Sequence, residues 1–378
     1  MSEAAEVLEA ISSWQGRGRK MALATIVQVR GSTYRRPGAR LLVADDGSMV
    51  GNLSGGCLEG EVQGVARDVM ESGEAQLALY DLTADDEVVW GWGLGCNGAI
   101  EVFVEPASKA AEIADALRLA MLEERPIAVA TVLESSVPEV GVGARSMIED
   151  GEMGRSLGRR DMDEAANAAV HTAVAEGESQ TRDIALPDGA VRLFIEVIEP
   201  PLRLLICGAG HDAVPLVHAA SSLGWRVVVA DDREALLSRE RFASAREFVL
   251  TEPSKVAADA AVDERTYAVV MTHNYLRDKD YLKALLDSDA AYIGMLGPRA
   301  RLERLLEELT SGGLDVGDAP GGRKLHGPAG LDLGAEGPEE IAAAIVAEVL
   351  AVSRDRKGGF LKERATPIHR RPQKTATT

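Results

Sequence analysis

The residues with the clearest chemical potential are a cysteine behind a glycine pair, a cluster of arginines, and a glycine turn set between a strand and a helix. Gly51-Asn-Leu-Ser54-Gly55-Gly56-Cys57 runs into a helical pattern that begins near Leu58. A thiol at a helix N-terminus has its thiolate stabilised by the peptide dipoles, which makes it a better nucleophile and a ligand for soft metals. Cys57 is therefore the leading functional thiol and the candidate metal ligand. Cys96, in the turn Gly95-Cys96-Asn97-Gly98, is second, because its glycines offer no packed environment. Cys207 ends an apolar run and reads as core. Three scattered cysteines form neither a disulfide framework nor a zinc-binding Cys-x-x-Cys pair.

The segment Arg30-Gly-Ser-Thr-Tyr-Arg35-Arg36-Pro-Gly-Ala-Arg40 concentrates arginines in a chain of 378 residues whose 41 basic and 60 acidic side chains leave a net charge of −19. Its glycines and proline predict a loop. Planar guanidinium groups grip phosphate bidentately, so Arg35, Arg36 and Arg40 are candidates for an anionic small-molecule site, with a merely solvated basic face as the alternative. The overall charge repels nucleic acid and membrane surfaces and favours small-molecule or protein partners. No apolar run approaches the roughly 20 residues of a membrane span, and the acidic start MSEAAEVLEA lacks the basic region of a signal peptide. A cytoplasmic location is expected.

The third feature is Gly208-Ala-Gly210-His211-Asp-Ala213, preceded by an apolar strand and followed by a helical pattern. In such a turn the first glycine permits the tight bend and the second lets a phosphate approach the backbone, while the helix amides supply donors. Asp231 and Asp232 end the next strand, Asp231 lying 23 positions beyond Gly208, where an acid can hold ribose hydroxyls; Asp231 is the candidate. His211 can contact a phosphate or simply bond to the local backbone. His273 follows a later strand at the edge where ligands bind in such folds. NAD(P) or another nucleotide is the implied ligand.

The elements that must position these residues follow from periodicity. An amphipathic helix is predicted over Met1–Trp14, strands over Met21–Val29, Arg40–Ala44 and Met49–Leu53, a helix over Leu58–Ser72, and a strand over Ile100–Val104. The next segment repeats these words weakly. MALATIV at 21–27 answers IAVATVL at 127–133, PGAR at 37–40 answers VGAR at 142–145, DDGSM at 45–49 answers EDGEM at 149–153, and GAIEVFVE at 98–105 answers GAVRLFIE at 189–196. Opposite Ser54-Gly55-Gly56-Cys57 the second segment has Gly158-Arg159-Arg160-Asp161, without the glycine pair or thiol. After Pro200-Pro201 strands and helices alternate, as in a doubly wound parallel sheet. The expected organisation is an α+β module over 1–106, a degenerate repeat of it over 107–200, a Rossmann-like domain over 201–352, and a flexible basic tail over 353–378.

Taken together, GSTYRRPGARLLVADDGSMVGNLSGGCLEGEV, GWGLGCNGAIEVFVEP, LLICGAGHDA, VVMTHNYLRD, AYIGMLGPR and GPAGLDLGAEGPEEIAAAI resemble the XdhC/CoxI family of accessory factors for xanthine dehydrogenase and carbon monoxide dehydrogenase. The resemblance spans Ala4 to Val352 and is weak between Ala107 and Pro200. It implies a non-catalytic chaperone, a homodimer, that binds the molybdenum cofactor (molybdopterin), assists its sulfuration with a cysteine desulfurase, and delivers it to a molybdenum hydroxylase. On that reading Ser54, Gly55, Gly56 and Cys57 form the family's serine-glycine-glycine-cysteine loop. Cys96 lies in its second cysteine turn, Gly208, Gly210 and His211 in its GAGH loop, His273 in its Thr-His segment and Asp332 in its Gly-Leu-Asp segment. Asp212, Pro215 and Asn274 depart from the family's usual residues and bear on the ligand of the last domain. From the residues alone, an NAD(P)- or flavin-dependent oxidoreductase and a docking scaffold remain as alternatives.

Overall fold

The computed structural model describes residues 3–56, 58–81, 97–123, 126–149, 152–314 and 324–365, so Cys57, Cys96 and the tail beyond 365 lie outside the described residues. The chain divides into two compact units at Pro200/Pro201. The first runs α1 (Glu3–Gln15), β1 (Met21–Ser32), β2 (Arg40–Ala44), β3 (Met49–Gly51), α2 (Glu59–Ser72), β4 (Gln76–Asp81), β5 (Asn97–Pro106), α3 (Ala107–Glu123), β6 (Ile127–Ser135), β7 (Arg145–Glu149), β8 (Glu152–Met153), α4 (Arg160–Glu176), β9 (Gln180–Leu186) and β10 (Gly189–Ile198). Its two antiparallel sheets share one strand order, β3-β2-β1-β5-β4 and β8-β7-β6-β10-β9.

The central strands explain themselves by composition. Residues 21–27 and 127–133 are apolar almost without interruption because both faces of β1 and β6 are covered. Ala22, Ala24 and Ile26 pack against Val62, Ala66 and Val69 of α2, while Leu23 joins Val7 and Ile11 of α1 and Ile113 and Leu117 of α3. In the second sheet Ala128, Ala130 and Val132 meet Met162, Ala166 and Val170 of α4. Each central strand also carries an irregularity at a corresponding place: the β1–β5 register shifts across Val27 and the β6–β10 register across Leu133. An extra residue turns its side chain out of the regular alternation. Val27 and Leu133 thereby close on Phe103 and Phe194 in a small apolar cluster shared by the two sheets.

Charged groups bind the sheets crosswise. Arg40 on β2 reaches Glu196 on β10 with Nη2 at 2.6 and 2.5 Å from the two carboxylate oxygens, and Arg145 on β7 reaches Glu105 on β5 at 2.8 Å. All four side chains are buried. Arg145 further donates to the Thr131 hydroxyl and the Lys109 carbonyl, and Arg40 to the Gly38 carbonyl. Between them Glu101 on β5 pairs with Arg192 on β10 at 2.5 Å.

The second unit runs β11 (Arg203–Cys207), α5 (Ala213–Ser222), β12 (Arg226–Asp231), β13 (Glu247–Leu250), α6 (Val256–Asp259), β14 (Thr266–Val270), α7 (Tyr275–Leu286), β15 (Tyr292–Met295), α8 (Arg299–Ser311), β16 (Leu325–His326) and α9 (Pro338–Ser353). Its parallel sheet has the order β13-β12-β11-β14-β15-β16, which is the 3-2-1-4-5-6 winding of a Rossmann fold. Leu204 and Ile206 face Leu216 and Val217 of α5 together with Ile345 and Val349 of α9; Leu205 and Cys207 face Tyr281, Leu282 and Leu285 of α7. Among the described residues no helix is long and apolar enough to cross a membrane.

Breaking one crossed pair leaves a buried charge alone, a loss of roughly 3–5 kcal/mol. Arg145→Met should lower the urea midpoint accordingly, and adding Glu105→Leu should recover most of the loss. An unchanged midpoint in the single variant would show that the pair does not hold the sheets.

Candidate functional site

In the first unit the basic segment splits. Arg30 belongs to β1, not to the predicted loop, and pairs with Glu101 at 3.4 Å. Arg40 turns inward to Glu196, and Gly38 makes this possible: a Cβ there, at φ +92°, would stand 3.0 Å from a Glu196 oxygen. Tyr34, Arg35, Arg36 and Pro37 remain at the surface, where with Val7, Gly38, Ala39 and Arg40 they line an open hollow of about 370 Å³. The Thr33 hydroxyl donates to the Arg35 carbonyl at 2.9 Å and shapes the turn.

The serine-glycine-glycine loop lies beside it. The position of a Cβ on Gly55 is 4.0 Å from the Tyr34 ring, and Asn52 ties the loop to β2 by donating its backbone N–H to the Arg40 carbonyl at 2.9 Å. Gly55 and Gly56 are exposed and take φ of +85° and +114°, conformations that suit glycine. The loop is organised around Glu59, in the first turn of α2. Its carboxylate accepts the backbone N–H groups of Leu53, Ser54, Gly56 and Leu58 at 2.9–3.1 Å and the Ser54 hydroxyl at 2.7 Å. Burial alone would raise the Glu59 pKa, but the Ser54 hydroxyl and these amides outweigh it and hold the carboxyl below its ordinary value. Gly56 and Leu58, the chain neighbours of Cys57, are both gripped by this one carboxylate.

The second sheet has the grip without the opening. Asp163 accepts the Leu157 N–H and the Ser156 hydroxyl, both at 2.7 Å, much as Glu59 does. Where the first loop exposes glycines, Arg159 is engaged by Asp161 and Asp188 at 2.6 and 2.7 Å.

In the second unit the glycine turn follows β11 as expected. Gly208, at φ +117°, is required by close packing: a Cβ would meet the Met271 and Thr272 backbone at 2.9 Å. Gly210 is not so confined, since a Cβ there would come no nearer than 3.9 Å to the His273 ring. Its openness leaves approach to the turn free. His211 is exposed. His273, with φ +57°, places Nε2 at 2.8 Å from Asp212 Oδ2, which brings the loops after β11 and β14 together. The buried Asp278 carboxylate holds this conformation by accepting from the Thr272 N–H and hydroxyl, and it is itself ion-paired to Arg301.

Asp231 stands at the end of β12 but faces inward. Its oxygens accept the Ala209 N–H at 2.7 Å, the Arg233 N–H at 2.9 Å and the Arg233 guanidinium at 2.8 Å. Burial would raise its pKa, yet Arg233 and the Ala209 amide bring it down to about 2. Cys207 is fully buried, and burial, with Asp278 and Asp231 nearby, pushes its thiol pKa up, so it is a core residue. Asp332 is exposed.

The described residues thus bring Arg35, Arg36, Ser54, Gly55 and Gly56 into one region of the first unit, and Gly208, Gly210, His211 and His273 into one region of the second. Arg40 and Asp231 stand behind these regions as supports. Cys57 and Cys96 lie outside the described residues, and among those described no group of three His, Cys, Asp or Glu is placed to hold a metal. Glu59 is absent from the sequence reading, and Asp212 enters it only as a departure from the family's pattern. An acid in the first turn behind a serine-glycine run was the available signal for Glu59.

A parallel sheet wound 3-2-1-4-5-6, with a glycine turn after its first strand, defines the second unit as a Rossmann domain. Residues 204–349 match the model of the XdhC Rossmann domain and residues 14–81 that of the XdhC and CoxI family. The chain is 32% identical over 329 residues to a protein of Bacillus subtilis (strain 168) described as a probable xanthine dehydrogenase subunit, covering 87% of this chain and 92% of that protein. The chain belongs to the XdhC and CoxI family. It is also 23% identical, over 89% of its length and 84% of the other, to the molybdenum cofactor insertion chaperone PaoD of Escherichia coli (strain K12). A crystal structure described as a xanthine dehydrogenase from Bacillus halodurans superposes with a TM-score of 0.73 at 29% identity, covering 94% of this chain and 97% of that one.

The depressed pKa of Asp231 gives a signed prediction. Its stabilising contribution, about 2 kcal/mol, is complete above about pH 5 and is lost as pH falls through 4 and past 2. Asp231→Asn should therefore lower the urea midpoint at pH 7, and the gap to wild type should close below pH 4. A gap that does not narrow would mean that the carboxylate is not held in its charged form.

Proposed function

We propose that this protein is a molybdenum cofactor chaperone that binds the cofactor, assists its sulfuration together with a cysteine desulfurase, and inserts it into a hydroxylase of the xanthine or carbon monoxide dehydrogenase type. The observation that carries this reading is the adjacency of the arginine hollow to the exposed Gly55-Gly56 loop that leads into Cys57. Molybdopterin joins a phosphate to a dithiolene-bound metal, and the donor set fits both ends. Arg35, Arg36 and the glycine amides suit the phosphate, and a thiol suits molybdenum or sulfur. An open hollow with few ligands also suits cargo that must be released. The names of the relatives, one a molybdenum cofactor insertion chaperone, point the same way.

Residues 107–200 act, on this proposal, as a degenerate copy of the first module that retains packing and has lost the site. The shared strand order, the matching register shifts and the crossed Arg–Glu pairs support that reading. The Rossmann unit binds a nucleotide at Gly208, Gly210, His211 and His273, a role supported by the open Gly210. The protein works in the cytoplasm as a homodimer.

Cys57→Ala should lower retained molybdenum and oxidised-pterin fluorescence at least about tenfold, equivalent to about 1.4 kcal/mol, with the melting temperature unchanged. Cys207→Ala should leave retention intact and cost stability as a core truncation. The reverse ranking would remove Cys57 from the site.

A further inference from the structure

Two side-chain bridges cross the carboxyl edge of the parallel sheet. Because β12 and β14 lie on either side of β11, a contact between the segments that follow them must span the glycine turn at the end of β11. Arg277, in the first turn of α7, makes such a contact, with Nε 3.0 Å from Asp232 Oδ2; Arg233 Nε lies 4.0 Å from the other oxygen. Beside it runs the His273–Asp212 bridge. Both members of the Arg277–Asp232 pair are about 30% exposed, so exchange with a ligand costs little desolvation.

In a Rossmann unit an acid at the end of the second strand holds the ribose. Asp231 cannot do this without releasing the glycine turn, because its carboxylate is 2% exposed and already accepts from Ala209 and Arg233. The next residue is 28% exposed and engages a different partner, Arg277. Asp232 is the accessible carboxylate at that strand end, and its two oxygens can accept from vicinal hydroxyls. Arg277 supplies a planar cation whose fork of donors matches a phosphate as well as a carboxylate. His273 is held in the left-handed region beside Gly210, at φ +57°, and forms the neighbouring wall of the crevice.

Resting on the nucleotide-binding reading above, we propose that the crevice takes a ribonucleoside diphosphate by exchange of the Asp232–Arg277 pair. Arg277 moves from Asp232 to a phosphate, and Asp232, not Asp231, receives the 2′,3′-diol. A 2′-phosphate is repelled by the same carboxylate.

The test is calorimetric titration of the full chain with ADP, GDP, CDP and UDP and their 2′-deoxy counterparts. Wild type should bind at least one ribonucleoside diphosphate about tenfold or more tightly than its deoxy form. Asp232→Asn should erase that discrimination at an unchanged melting temperature, and Arg277→Gln should weaken both forms alike. An Asp232→Asn protein that keeps the preference overturns the ribose assignment while leaving nucleotide binding in place. Unaltered affinity in Arg277→Gln overturns the exchange. Absence of binding by wild type at millimolar concentrations overturns this proposal, and absence of binding in parallel titrations with NAD(P) and ATP overturns the nucleotide reading as well.

Discussion

The crossed Arg–Glu pairs are the constraint on which the first unit depends. Two guanidinium groups and two carboxylates are buried between sheets that also meet through a small apolar cluster and the Glu101–Arg192 pair. Taking such ions out of water is costly, and it is repaid only when each finds its partner in good geometry. The contact therefore tolerates apolar replacement of both partners together but not of one, and not misalignment: a slip of β2 or β10 by one residue would turn Arg40 or Glu196 to the opposite face. Because Arg40 is anchored in this way, the chain just before it is forced to the surface. That displaced stretch, Tyr34 to Pro37, forms the wall of the candidate cofactor hollow.

The same logic governs the glycine turns. Glu59 draws four amides of a glycine-rich loop toward one carboxylate, and Asp231 draws the Ala209 amide and Arg233 toward another. In each unit an internal anion satisfies backbone donors of a glycine turn. Beside Glu59 the glycines are exposed on a backbone hydrogen-bonded from within, whereas beside Asp231 Gly208 is buried and Gly210 half-buried.

How far this was legible in sequence depends on the range of the interaction. The apolar runs of β1, β6, β11, β12 and β14 announce central strands, and the Rossmann turn is visible because its residues are contiguous. Strand β4, with one buried residue, and β9, with none, carry too weak an alternation to be seen, since they lie at sheet edges. Arg40 could be recognised as basic but not as buried, because Glu196 lies 156 positions away. Asp231 and Asp232 are indistinguishable on paper; the fold buries the first, which accepts from Ala209 and Arg233, and leaves the second partly exposed against Arg277.

The ion pair between Glu101 and Arg192 makes the two sheets unlike at the place where they meet. These residues occupy matching places in GAIEVFVE and GAVRLFIE, and they face each other where two identical modules would each meet their own image. Identical partners would there bury glutamate against glutamate or arginine against arginine. Opposite charges at this point make the two sheets complements and not copies, so that replacing either Glu101 or Arg192 by its counterpart would set like charges against each other where the sheets meet.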